Sequence, residues 1–301
     1  EALAARMRRL KLDGVLLLDK PIGPSSSAVL QAVKRLLQAE KAGHAGTLDP
    51  LASGLLPLLF GEATKFAQFG LDSVKEYLAG IRLGISTDTG DAEGAVLERH
   101  PVDVDDARLA RALGRFRGEI GQVPPMYSAL KHGGQPLYAL ARAGQMVERR
   151  SRQVTVHELE LIERSPDLVR IRVRCSKGTY VRQLAADLGA ELGTGAHLEA
   201  LRRTAVGGYR LHQAVSLDDL QAMGEEARRA WLLPPDSLLE ALPRVDLDEE
   251  QAGRFLHGRA IAREAPGGPC RVYREGGPLL GVGEAGPGTE LRPVRLIAGG
   301  N

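Results

Sequence analysis

Apolar positions cluster into short runs along the chain, and the runs change period. GVLLLDKP, Gly14 to Pro21, is a continuous apolar run closed by a charged pair and proline, which predicts a buried strand. SSSAVLQAVKRLLQAE follows with Val29, Leu30, Val33, Leu36 and Leu37 on one helical face, and Ser25 or Ser26 can cap that helix. LLPLLFG reads as a strand, EATKFAQFGL as a short helix, and KEYLAGIRLGIST as a strand. TDTGDAEG is a turn, and DDARLARALGRFRG is an amphipathic helix. VTVHELELIER and LVRIRVRCSKG alternate as strands. TYVRQLAADLGAELG is a helix stopping at Gly193, and HLEALRRTAVGGYRL is extended. From about Val245 short apolar runs recur between Gly and Pro turn signals, the pattern of a small β domain. Strands and helices alternate irregularly, so the expected class is α+β with a mixed, mainly antiparallel central sheet and flanking helices.

Two stretches break this rhythm. Gln122 to Gly144, QVPPMYSALKHGGQPLYALARAG, holds two prolines, a Gly-Gly turn and two tyrosines, and predicts an ordered loop or hairpin running into a short helix. GHAGTLDPLASG, Gly43 to Gly54, is a glycine-rich bend that carries one carboxylate, Asp49, between leucines. Pro50 stiffens the chain after Asp49 and biases Asp49 towards extended backbone. A carboxylate flanked by apolar residues is expected to be partly desolvated. It suits either a nucleophile or base held by an arginine, or a turn-forming Asp that bonds its own backbone. The residues alone leave both open.

Composition narrows the chemistry. The 301 residues suggest roughly two domains. With 43% hydrophobic and 26% charged residues the chain can bury a core, and with 4% aromatics Leu, Val and Ala must fill it. A net charge of +2 means that any nucleic-acid surface must come from clustering. Two cysteines, Cys175 and Cys270, are too few for a disulfide framework and are expected as free thiols. No apolar run reaches membrane-spanning length and EALAARMRRLKLDG lacks a signal-peptide core, so a cytoplasmic setting is expected. GVGEAG, Gly281 to Gly286, matches a dinucleotide fingerprint but has no room for the helix and strand that must follow, and is read as a turn. TDTGDAEG breaks calcium-loop spacing at Gly90 and Ala92. P-loop, nucleophile-elbow and HExxH motifs are absent.

Lys20-Pro21, GHAGTLDPLASG, GEATK, PPMYSALKHGGQPLYALAR and CSKGTYVRQLAADLG, in that order, resemble the bacterial tRNA pseudouridine-55 synthases of the TruB family. The likeness runs from about Gly14 to Arg210. It implies the pseudouridine synthase fold over residues 1–243, with a thumb-like RNA-binding insertion at about 122–150, and a PUA-like RNA-binding domain over 244–301. It implies an enzyme that flips out uridine 55 in the T-loop of tRNA, breaks its glycosidic bond, turns the base and rejoins it through carbon. No cofactor and no metal are implied. The partner is the tRNA T-stem-loop; no guide RNA and no membrane are expected, and a monomer is.

By the same resemblance Asp49 is the nucleophile, attacking C1′ of the ribose or C6 of the uracil. Arg182 is its basic partner. Tyr77 stacks on the flipped base or takes a proton. Lys20 buttresses the loop, Leu201 walls the pocket, and Arg202 supports structure or phosphate. His44 inserts into the space the base leaves, and Tyr127, Lys131 and Tyr180 are candidate contacts. Arg170, Arg172 and Arg174 share one strand face, either as phosphate contacts or as a solvated outer surface. Two other readings compete: an RNA-folding module with a relict site, and a metal hydrolase using Asp49, Asp88 and Asp91.

Overall fold

The computed structural model describes residues 9–286 and 289–298, so the outermost ends of the two expected units lie outside the described residues. Its strands are β1 (Gly14–Lys20), β2 (Ala42–His44), β3 (Ala52–Phe60), β4 (Lys75–Leu83), β5 (Ile85–Thr87), β6 (Val96–Arg99), β7 (Gly118–Gln122), β8 (Lys131–His132), β9 (Gln135–Pro136), β10 (Arg152–Arg164), β11 (Leu168–Cys175), β12 (Ala196–Val206), β13 (Tyr209–Arg210) and β14 (Val215–Ser216). A large sheet runs β14-β1-β3-β12-β4-β11-β10-β7, with β2 added to β3 and β13 to β12. The β1–β14 and β3–β12 pairings are parallel and the rest of this sheet is antiparallel, the mixed sheet that irregular strand-helix alternation predicts. Strand β3 is buried along its whole length because both faces are covered, which is why LLPLLF reads as a run and not as an alternation.

The helices are α1 (Ser26–Leu36), α2 (Ala67–Asp72), α3 (Asp106–Gly114), α4 (Leu137–Arg142), α5 (Val181–Leu192), α6 (Leu217–Ala222), α7 (Glu225–Arg229) and α8 (Glu249–Leu256). Val29, Leu30 and Val33 of α1 pack on Leu16, Leu18, Leu56 and Leu58. Leu184, Leu188 and Leu192 of α5, with Leu109 and Leu113 of α3, pack on Ile81, Val169, Ile171 and Val173. Tyr77 and Leu201 touch both of these cores, so the region between them lies at a seam in the middle of the sheet. Ser25 caps α1 by accepting from Ala28 N, and α5 ends at Gly193 in the left-handed conformation, both as the sequence predicts.

Three expectations are corrected. KEYLAGIRLGIST is two strands, because the chain turns at Gly84 and Ile85–Thr87 leaves β4 to pair with β6. EATKFAQFGL is a 3-10 turn, Gly61–Phe66, followed by the short α2. GVGEAG is not a turn. It lies on β18 (Leu279–Ala285) of a second sheet, ordered β15-β17-β18-β19-β16, whose other strands are β15 (Arg244–Leu247), β16 (Ile261–Ala262), β17 (Gly268–Arg274) and β19 (Glu290–Leu296). Close strand packing explains its glycines: a Cβ on Gly281 would sit 1.9 Å from Arg295 O. This sheet encloses its own core with α8, whose Asp248–Gln251 capping box the β-only reading overlooked. It docks on the rest through Tyr273, Leu279 and Val282 against Phe66 and Leu239.

Candidate active site

Asp49 lies in the bend between β2 and β3, and that bend is tied down from three directions. Ser26 Oγ accepts from Leu48 N and donates to Leu48 O, both at 2.8 Å. Gly23 N donates to Pro50 O at 2.8 Å, and Ala52 N donates to Asp49 O at 2.9 Å. Leu48 is buried, so the residue before the acid is anchored in the core while Asp49 itself faces outward. The acid is less desolvated than its flanking leucines suggest: its side chain is 51% exposed. The leucines serve the anchor, not the carboxylate.

Arg182, near the start of α5, reaches this acid with Nε 3.4 Å from Asp49 Oδ2. Its other nitrogens are held from behind. Nη1 donates to Thr89 O at 3.1 Å and lies 3.9 Å from Asp91 Oδ2, and Nη2 donates to Tyr127 O at 2.6 Å. Asp91 is buried and fixed by Thr89 Oγ1 and Glu93 N at 2.7 and 3.0 Å. The turn that fails as a calcium loop thus positions the guanidinium. Asp88 accepts from Ala95 N. Among the described residues no group of three His, Cys, Asp or Glu side chains could hold a metal ion.

A cleft of about 770 Å³ opens over this pair. Asp49, Tyr77, Arg182, Leu201, Tyr127 and Tyr180 line it, which brings six of the ten expected residues together. Tyr180 is held there by Gln122, whose side chain donates to Tyr180 O and accepts from Tyr180 N at 3.1 and 3.0 Å. Burial pushes the Tyr77 phenol above its usual range, partly opposed by the Arg203 guanidinium, so at rest it is a neutral phenol. Lys20 sits beneath the bend, fully enclosed, with Nζ donating to Pro21 O and Pro24 O at 2.8 Å each. Burial lowers the Lys20 pKa, and the negative charges of Asp49 and Glu93 oppose that drop.

The other expected residues lie elsewhere. His44 ends β2 and does not line the cleft; its Nδ1 is buried without a partner, and burial and then Arg203 lower its pKa, so the ring is neutral at pH 7. Lys131 is on the exposed β8–β9 hairpin, away from the cleft lining. Arg202 points to the opposite face of β12 from Leu201, where Nη1 and Nη2 pair with the Asp19 carboxylate at 3.1 and 2.8 Å. Arg170, Arg172 and Arg174 face Glu163, Glu160 and Glu158 across β10 and β11 at 2.8, 2.5 and 3.7 Å, which neutralises that ladder locally.

Sequence reasoning missed Arg203, Lys75, Tyr138 and Arg142, all of which line the cleft. Arg203 was within reach: once Leu201 is a wall, a period of two puts Arg203, not Arg202, on the same face. Tyr138 and Arg142 stack on α4 with the guanidinium 5.5 Å from the ring centre, so the insertion offers the cleft an aromatic and a cation together. No helix among the described residues is long and apolar enough to cross a membrane.

Residues 34–181 match the family described as TruB family pseudouridylate synthase (N terminal domain), residues 182–240 the tRNA pseudouridylate synthase B C-terminal domain, and 243–297 pseudouridine synthase II TruB, C-terminal. A protein of Azoarcus sp. (strain BH72) named tRNA pseudouridine synthase B is 54% identical over 97% of this chain and 97% of its own. One of the same name from Burkholderia mallei (strain ATCC 23344) is 56% identical over 98% and 97%. A solved structure titled as a Cbf5-Nop10-Gar1 complex superposes with a TM-score of 0.73 at 29% identity, covering 94% of this chain and 83% of that one. With an arginine-held aspartate at the seam of its mixed sheet and kinship along nearly its whole length, this chain belongs to the TruB family of pseudouridylate synthases.

Proposed function

We propose that this protein isomerises the uridine at position 55 of the tRNA T-loop to pseudouridine, acting without cofactor or guide RNA. The near full-length relatives named tRNA pseudouridine synthase B support tRNA as the substrate. One observation carries the mechanism: the half-exposed carboxylate of Asp49 meets Arg182 at 3.4 Å in a cleft it shares with Tyr77 and Leu201.

A cleft of about 770 Å³ accepts one flipped nucleotide, and a stacked uridine must leave its helix to enter. Asp49 attacks C1′ of the ribose or C6 of the uracil, and Arg182 orients its carboxylate. The C1′–N1 bond breaks, the base turns, C5 bonds to C1′, and the bond to Asp49 breaks to return the free carboxylate. C5 then loses its proton and N1 gains one, so the product is an isomer and no electrons leave the substrate. Leu201 bounds the apolar side of the base. Tyr77 packs on it and, in its phenolate form, takes a proton. Neutral His44 is suited to fill the vacated stack, from outside the cleft lining. The insertion at 122–150, with Tyr127, Tyr138, Arg142 and the exposed Lys131, closes over the RNA, and the second sheet extends the contact as a PUA-like unit. Lys20 holds the bend, and Arg202 braces β12 against β1 through Asp19. The protein works as a monomer in the cytoplasm.

The test is incubation of unmodified tRNA with the purified chain in EDTA, followed by mapping of modified uridines. Pseudouridine at position 55 alone supports the reading. Modification elsewhere, or none, contradicts it.

A further inference from the structure

Arg203 is the largest fully buried side chain among the described residues, 1% exposed. Enclosing a guanidinium costs several kcal/mol unless its donors are met and its charge is balanced. Its hydrogen-bond partners are Leu55 O, which accepts from Nε at 2.8 Å, and Gly46 O, which accepts from Nη2 at 3.1 Å, and Tyr77 faces it across the strand pair. None of these is a carboxylate. Among the described residues no carboxylate pairs with it.

The surroundings are shaped for it. A Cβ on Gly54 would lie 2.2 Å from Arg203 O, and one on Gly46 would lie 3.5 Å from Nη1. Gly54 therefore lets the bend approach the β12 backbone at Arg203, and the Gly46 position lies in ordinary contact with the guanidinium. Arg203 also stands directly opposite Tyr77 in the β12–β4 register, both side chains reaching the cleft. Other ionisable groups bear on the pair: Asp49 and Cys175 on Tyr77, and Lys75 and His44 on Arg203. Of these influences on the phenol, only Arg203 opposes burial.

We propose that Arg203 is a positioning residue for isomerisation, holding the Tyr77 oxygen by a hydrogen bond and balancing its negative charge in the phenolate form that takes the substrate's proton. The phenol gives its proton to water. The phenolate oxygen then takes a proton from carbon in the intermediate, the C–H electron pair stays in the intermediate as a carbon–carbon double bond, and the phenol is restored. The inference rests on the proton-accepting role of Tyr77 proposed above.

The test compares native protein with Arg203→Lys and Arg203→Met in single-turnover reactions on unmodified tRNA, together with tRNA affinity and the pH titration of tyrosine 13Cζ resonances. The Tyr77 signal is the one missing from Tyr77→Phe. In Arg203→Met the Tyr77 titration should move to higher pH, the rate at pH 7 should fall at least about tenfold, and raising the pH should restore part of it while affinity stays within about twofold. Arg203→Lys, which keeps a cation without the planar fork, should fall between, and serves alone if the Met variant does not fold. A Tyr77 titration unmoved in the variants, or a rate within about twofold of native, overturns the inference. A fully active Tyr77→Phe would instead remove the proton role of Tyr77 itself.

Discussion

One hydroxyl, Ser26 Oγ, clamps both backbone polar groups of Leu48, accepting from N and donating to O at 2.8 Å across 22 residues of sequence. The first turn of α1 thereby sets the height of the bend that carries Asp49. Ser26→Ala strands two buried backbone groups, at about 1–3 kcal/mol for each one left unsatisfied. Urea unfolding should show that loss, and the isomerisation rate constant should fall more than tRNA affinity does. Loss of stability with an unchanged rate constant would detach the clamp from the chemistry.

Arg182 is held by a planar fork that lysine cannot copy. Arg182→Lys keeps the charge but loses the paired contacts to Thr89 O and Tyr127 O. Misplacing a catalytic group by about 1 Å can cost on the order of 100-fold in rate. Single-turnover assays should show a fall of that size with tRNA binding intact. Asp91→Asn should give a smaller fall, because Asp91 acts at 3.9 Å.

How much of this was legible in the sequence differs by element. Strand β1, helix α1 and the Gly193 stop were plain, because burial and capping leave periodic marks. Asp49 stood out through Gly and Pro, and motif resemblance supplied Arg182 and Tyr77. The role of Asp91 was hidden, since a turn Asp that fixes a distant arginine looks like any turn Asp. Arg203 was half-legible: a period of two from Leu201 puts it on the cleft face, but nothing local marks its burial, and Gly54 records only the close approach of the bend to its backbone. The Arg170, Arg172 and Arg174 ladder read equally as phosphate contacts or a solvated outer face, and only the fold shows the glutamates that β10 sets opposite.

Gly54 and Gly208 give a contrast between two substitutions. Gly54→Ala would force a Cβ to 2.2 Å from Arg203 O at a φ of +106°, whereas Gly208→Ala meets nothing within 4 Å. Thermal melts should show Gly54→Ala strongly destabilised and Gly208→Ala near native. Equal melting temperatures would refute the close approach of the bend to β12.

Lys75 lines the cleft with Nζ donating to Gly70 O and Leu71 O at 3.0 and 2.5 Å, and burial and then the Arg203 charge lower its pKa from 10.5 to about 8. In the unfolded chain it titrates at its ordinary value, so between these limits the unfolded state binds more protons. Its penalty is fully present below pH 8 and disappears as the pH rises to about 10.5, a gain of order 3 kcal/mol. Cys175, raised by burial to about 11, acts in the opposite sense, losing stability as the pH rises above 9. Urea unfolding of native protein against Lys75→Met at pH 7.5 and 10 isolates the lysine: the native protein should gain relative to the variant. No relative gain would contradict its desolvation.

The most direct test of the central claim is single-turnover isomerisation of unmodified tRNA by native protein and by Asp49→Asn, with tRNA affinity measured alongside. Native protein should form pseudouridine at position 55, and Asp49→Asn should bind tRNA normally and form none. Isomerisation by the asparagine variant at the native rate would contradict the account.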